Sequence, residues 1–262
     1  SGIDPFGTAW GNAAATSTFG DSLSARQSPT LKYVSPSFDG FKFAVSTGYT
    51  NTKESEGSST TGKVRNTVAS AAIGYANGPV ELGVSYDYDR KREQGTIGTK
   101  AVSANRLAKA WTIAGAYDFD VAKLHLGYGQ QRDGFVGGNL GLLGTSIDVA
   151  FDETQAKDIK DRLDTAGLRA QAWFAGVSAP IGESAKVIFS YQVGRVKHKA
   201  AYFEGYRANT HVWSLGYQQN LSKRTHVYVL GSYGQTKVKE SGVGTAGKAR
   251  HTQAVVGLQH RF

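Results

Sequence analysis

The sequence predicts an all-β chain, a transmembrane antiparallel β-barrel, and three observations carry that prediction. Apolar and polar residues alternate over segments of roughly ten residues, the period of a two-faced strand rather than of a helix. The face opposite the aromatics carries Lys, Glu, Asp, Gln and Gly, which cannot fill a dry core without partners but suit a water-filled lumen. Short turns and long connections follow one another in strict alternation, as in a barrel with tight turns at one rim and long loops at the other.

The eleven segments lie near 29–36, 40–50, 66–76, 79–91, 108–119, 121–131, 167–178, 185–197, 209–219, 223–237 and 251–262. In "FKFAVSTGY", Phe41, Phe43, Val45 and Tyr49 share one face and Lys42, Ala44, Ser46 and Gly48 the other. "VELGVSYDY" sets Val80, Leu82, Val84, Tyr86 and Tyr88 against Glu81, Gly83, Ser85 and Asp87, and "KLHLGYGQ" sets Leu124, Leu126 and Tyr128 against Lys123, His125 and Gly127. The closing "AVVGLQHRF" alternates in the same way. A fragment of the type TGY, IGY, LGY or GSY recurs at Tyr49, Tyr75, Tyr128, Tyr217 and Tyr233, each on the apolar face, where a phenol suits a membrane interface.

Short connections are expected at "SPSFDG", "NGP", "DFD", "PIGES" and "LSKR", and long ones at 51–65, 92–107, 132–166, 198–208 and 238–250. The first strand descends toward a short turn, so the chain begins on the long-loop side. An odd strand count is unusual for a single-chain bacterial barrel, and the expectation is a carboxy-terminal portion of a larger barrel.

Composition removes several classes. With 33 Gly but only 5 Pro the chain is neither collagen-like nor Pro-rich disordered. It has 0 Cys, hence no disulfide framework and no cysteine zinc site. It also has 0 Met, and "SGIDPFGTAW" has neither the charged nor the apolar region of a signal peptide, so a processed or trimmed start is expected. No apolar run is long enough for a spanning helix. The net charge of +9 is scattered along the chain without a basic helix, finger or RNP-type motif, and nucleic acid is not an expected partner.

Motifs for chemistry are weak. "GVGTAGKA" at 242–249 has phosphate-loop glycine spacing but is followed by a strand pattern instead of the helix such a site needs, and reads as a surface loop. The 6 His lack HxxxH or HExxH spacing, no G-x-S-x-G elbow occurs, and neither metal, cofactor nor enzymatic activity is expected. The acidic stretch 146–164 lacks the central glycine of a calcium loop; Ile159 and Leu163 suggest a short helix over the mouth, with divalent-cation or lipopolysaccharide contact as the alternative to a solvated loop.

"ARQSPTLKYVSPSFDGFKFAVSTGY" resembles the stretch after the pore-constricting loop in general porins of Gram-negative betaproteobacteria, the Neisseria and Bordetella type. "VVGLQHRF" is similar to their closing strand, and "DPFG" and "NLSKRTHVYVLGSYGQ" fit the same family. The resemblance implies a barrel of sixteen strands in the family, about eleven of them here, a homotrimer in the outer membrane, and no cofactor. Residues 1–28 would then be the end of an inward-folded constriction loop and 29–262 the carboxy-terminal strands. Phe262, a terminal aromatic, resembles the signal read by the barrel-assembly machinery. Lipid and lipopolysaccharide are the implied surroundings, and ions and small hydrophilic solutes the implied cargo.

For such a lumen, alternation assigns Lys32, Lys42, Lys123 and Lys186 to the wall with Glu81, Asp87 and Asp118 as acidic counterparts, and the resemblance implies that Arg26 lies where the constriction loop rejoins the wall, opposite or beside Asp4 and Asp21. Selectivity in a wide pore comes from such charges, and the positive balance predicts weak anion preference. The alternative function is a plugged barrel that serves as adhesin or anchor. Arg169 and Trp173 share a face in "GLRAQAWFAG", which predicts a bulge there.

Overall fold

The computed structural model describes residues 3, 5–6, 30–56, 60–97, 100–133, 167–198, 207–241 and 244–260. Every regular element among them is a strand: β1 (Thr30–Val34), β2 (Phe41–Glu56), β3 (Thr60–Asn77), β4 (Val80–Ile97), β5 (Lys100–Asp118), β6 (Lys123–Arg132), β7 (Leu168–Ile181), β8 (Ala185–His198), β9 (Arg207–Ser222), β10 (Thr225–Glu240) and β11 (Gly244–His260). They form one 11-stranded antiparallel meander in sequence order, with β1 and β11 at its edges.

Local chemistry makes the short turns. Phe38 and Phe41 exchange both backbone hydrogen bonds at 2.8 Å across Asp39 and Gly40, whose φ values are 47° and 87°. Two consecutive positive φ angles define the hairpin turn whose twist matches that of the flanking strands, and Asp-Gly is a preferred dipeptide for it. Gly78, Asp120 and Gly182 supply a positive φ at three of the other four short connections.

The two faces of the sheet differ in an inverted sense. On β9 the pattern alternates strictly: Ala208, Thr210, Val212, Ser214, Gly216 and Gln218 are buried, while Leu215, at 59% exposure, and Trp213 and Tyr217 lie open. The buried set carries polar groups such as Ser190, Gln192, Thr210, Ser214, Ser232 and Thr236, and the open set carries Phe43, Ile73, Val84, Ile113, Phe189 and Val256, the last 81% exposed. A chain in water buries the apolar set instead; this arrangement is stable where the surroundings are hydrocarbon. The buried side is called the inner face below.

Aromatic residues collect at two levels of the outer face. Near the short turns stand Phe41 against Tyr75 and Tyr117 against Phe119, both with ring centroids 4.6 Å apart. Toward the long-loop end, Trp111 meets Tyr128 at 5.5 Å, Tyr128 meets Trp173 at 6.4 Å, Tyr191 meets Trp213 at 5.3 Å and Trp213 meets Tyr233 at 5.9 Å. On β2, Phe41 and Tyr49 bound the apolar stretch. Their separation is roughly 27 Å along the strand, or about 20 Å along the membrane normal at about 40° tilt, close to the height of an apolar barrel band.

The structure corrects four sequence expectations. The stretches 51–65 and 92–107 are mostly strand, not loop: β2 and β3 pair through Glu56↔Thr60, and β4 and β5 through Ile97↔Lys100. Residues 244–249 of "GVGTAGKA" likewise belong to β11 and pair with β10. In all three the alternation fades because both faces are polar once a strand rises beyond the apolar band, while backbone pairing continues. The bulge expected at Arg169 and Trp173 is not there: β7 pairs without a shift with β6 and β8, and both residues lie on the outer face. The helix expected in 146–164 lies outside the described residues.

Candidate functional site: the inner face of the sheet

Register brings the inner-face residues together. β4 contributes Glu81, Asp87 and Asp89, β5 Thr112 and Ala116, β6 Lys123 and His125, and β8 Lys186 and Gln192. Small residues between the charged ones leave space: Ala44, Ala72, Gly74, Gly83 and Ala114 line a cavity of about 780 Å³ together with Lys42, Glu81 and Phe174. Phe174 lies over Gly127 and Tyr228 over Gly257, positions where an added Cβ would collide with the ring.

Of the residues expected to line the wall, the structure brings together Lys42 and Glu81 at this cavity, and Lys123 donates from Nζ to Glu81 Oε1 across β5. Asp87 and Lys186 stand on the same face on separate strands, and Lys32 pairs with Ser46 on β2. Asp118 serves the turn, since its Oδ1 accepts the Asp120 amide at 3.0 Å. Asp4, Asp21, Arg26 and Phe262 lie outside the described residues.

Sequence reasoning missed two features. Asp89 is buried on the inner face, with Arg106 and Lys91 acting on its carboxylate; extending the β4 alternation two residues past Asp87 would have found it. His125, 2% exposed, donates from Nδ1 to the Ile3 carbonyl at 2.9 Å, and its Nε2 pairs with Ser178 Oγ at 3.0 Å. A carbonyl only accepts, so the proton sits on Nδ1.

Through that bond the described part of the amino-terminal segment lies on the inner face. Ile3 approaches Gly83, Pro5 approaches Gly176, and Phe6 packs against Ile188 and Leu230 with Tyr228 and Val255 alongside. The segment therefore touches strands from β4 to β11. No metal cluster occurs among the described residues.

Comparison with known proteins agrees with this architecture. The chain is 29% identical over 272 residues to an outer membrane porin protein of Bordetella pertussis, an alignment that takes in 99% of this chain and 64% of the relative. The chain thus spans just under two thirds of the length of the curated relative it matches. Among solved structures, in-vitro folded OmpT, an outer membrane protein of Vibrio cholerae, superposes with TM-score 0.55 at 12% identity, covering 89% of this chain and 64% of that one. Its trimer form superposes with TM-score 0.50 at 13% identity, covering 86% and 64%. These two likenesses speak for the fold. A family model described as Gram-negative porin matches residues 1–241, and with an outward apolar band, an inward polar wall and that match, the chain belongs to the Gram-negative porin family of the outer membrane.

Proposed function

We propose that the protein forms a water-filled channel for passive diffusion of ions and small hydrophilic solutes, with a weak preference for anions. The observation that carries this reading is the inverted pattern of the sheet: charges and small residues on the covered face, apolar side chains on the open one. Diffusion needs no catalytic group, only a lumen of suitable bore and charge. On the inner face, among the described side chains, Lys32, Lys42, Lys91, Arg106, Lys123 and Lys186 stand against Glu81, Asp87, Asp89, Asp118 and Glu240, a small positive balance that supports the anion preference.

In this reading residues 1–28 are the end of the inward-folded constriction loop, supported by the contacts of Ile3, Pro5 and Phe6 across the inner face. Arg26 with Asp4 and Asp21 would then set a transverse field at the narrowest point. Phe262 is the aromatic assembly signal, and the working unit is a homotrimer, a reading supported by the trimer form in which OmpT of Vibrio cholerae is described.

The test is single-channel conductance of the complete protein, refolded from detergent into a planar bilayer in molar salt. Steps in groups of three, with reversal potentials favouring chloride over potassium, are expected. A silent bilayer despite confirmed insertion would replace the channel by a plugged barrel working at the cell surface.

A further inference from the structure

The cavity of about 780 Å³ on the inner face has one base and one acid among its described lining residues, Lys42 and Glu81. Only the base is available. Glu81 is taken up by the Lys123 ammonium, whereas Lys42 is exposed and, among the described residues, has no ion-pair partner. Register sets Lys42 at one end of a row across six strands: Lys42 on β2, Gly74 on β3, Gly83 on β4, Ala114 on β5, Gly127 on β6 and Phe174 on β7, each directly opposite the next. The Phe174 ring lies back over Gly127. A cation therefore bounds the row at one end and an aromatic ring at the other, and the floor between them is almost bare backbone.

Ile3 supplies an apolar side to the same space. Its Cδ1 lies 3.3 Å from where a Cβ on Gly83 would stand, and its carbonyl accepts the His125 hydrogen bond that holds it there. Strands are about 4.8 Å apart, so Lys42 and Gly127 stand about 19 Å apart along the sheet. The lysine stem and the Phe174 ring reach in from the two ends, and the remaining span suits a small organic molecule better than a bare ion. The lining decides which kind. A polyhydroxylated solute would bury its hydroxyls against glycine and alanine at a cost, and a cationic one would meet Lys42. A molecule with an aromatic body and one carboxylate matches both ends: the ring gains from burial and from the edge or face of Phe174, and the carboxylate from the ammonium.

We propose that this cavity is a binding site for aromatic monocarboxylates within the lumen. Lys42 holds the carboxylate, and Phe174, Ile3 and the glycine and alanine floor hold the ring. A few placed polar groups in a mostly apolar pocket are the usual makeup of a small-molecule site. The proposal names a cargo class for the channel and rests on that reading for its role, while the binding itself is measured without current.

The complete protein, refolded in detergent, is dialysed to equilibrium at neutral pH against 4-phenylbutyrate, its uncharged amide or butyrate, with protein-free micelles as the blank. Binding of 4-phenylbutyrate is expected to be about tenfold tighter than that of butyrate, the scale of one partly buried ring. Lys42→Gln should weaken 4-phenylbutyrate about threefold, the scale of an exposed ion pair, and leave the amide unchanged. Gly74→Leu sets a side chain into the floor where a Cβ has room, and should abolish the preference for 4-phenylbutyrate over butyrate. Lys109→Gln, on the outer face of β5, should bind as the parent does. No binding above the blank, equal binding of 4-phenylbutyrate and butyrate, or equal affinity of the parent and Lys42→Gln for 4-phenylbutyrate would each overturn the proposal. So would a loss in Lys109→Gln as large as in Lys42→Gln, which would mark a plain charge effect. If Gly74→Leu does not fold, the ligand comparison and Lys42→Gln still decide. A silent bilayer with binding intact counts against the channel alone, and conduction without binding counts against this site alone.

Discussion

The Lys123 ammonium on β6 reaches across β5 to the carboxylate of Glu81 on β4. The two strands are not neighbours, and the contact runs diagonally over β5, where the small Ala116 stands opposite Glu81 and Asp118 opposite Lys123. Both side chains are about four-fifths covered, yet the site opens on the cavity beside Lys42.

Replacing Lys123 by Gln removes one positive charge from beside Glu81 at this wall. The variant should shift the reversal potential in a salt gradient toward cations, while Glu81→Gln should shift it toward anions. Stability should fall by about 1 kcal/mol, the scale of a solvent-accessible pair. Identical shifts for both variants would show that the pair acts only structurally.

The covering segment depends on a missing side chain. A Cβ at Gly176 would come 2.9 Å from Pro5 Cγ and 3.1 Å from the Phe189 carbonyl, so Gly176→Ala should lift Pro5 from the wall. Phe6→Ala should act alike by removing the ring packed on Ile188 and Leu230, at about 3 kcal/mol for that local contact. Limited proteolysis should cut both variants near the amino-terminus faster than the parent, and unitary conductance should rise.

The direction of the apolar face is testable with one charge. Leu215→Arg puts a guanidinium in the middle of the outer face of β9 and should cost about 2–4 kcal/mol of folding stability in vesicles, read by urea titration. In a water-soluble sandwich the same change at a 59% exposed position would be nearly neutral.

Gly40→Ala should destabilise the β1–β2 hairpin. At φ 87° a side chain is strained, and its Cβ would lie 2.6 Å from the Ala76 carbonyl. The expected loss is about 1–3 kcal/mol, and urea unfolding of the refolded protein measures it. Asp39→Asn, which tolerates the left-handed region, should change little.

The number, order and facing of the strands were legible because the apolar band imprints a period of two wherever one face meets lipid. Leu82, Val84 and Tyr86 opposite Glu81, Ser85 and Asp87 settled the face of β4 without any contact information. Strand length was not legible. Past Tyr49 on β2 and past Tyr88 on β4 both faces are polar, so hydropathy carries no period there and the pairing of Glu56 with Thr60 left no trace in composition. Nor was the link between His125 and Ile3, since the two are joined only by a meander that returns to the same wall.

The alternating layout also bears on how such a protein travels. A helix-reading insertion apparatus responds to about 20 consecutive apolar residues, and here every lipid-facing residue of the apolar band is followed by an inward one, often polar or small. These strands therefore offer such machinery no continuous apolar run to retain. Their greasy surface is encrypted in one dimension and exists only once neighbouring strands have paired, so the place where the sheet assembles decides which membrane it enters.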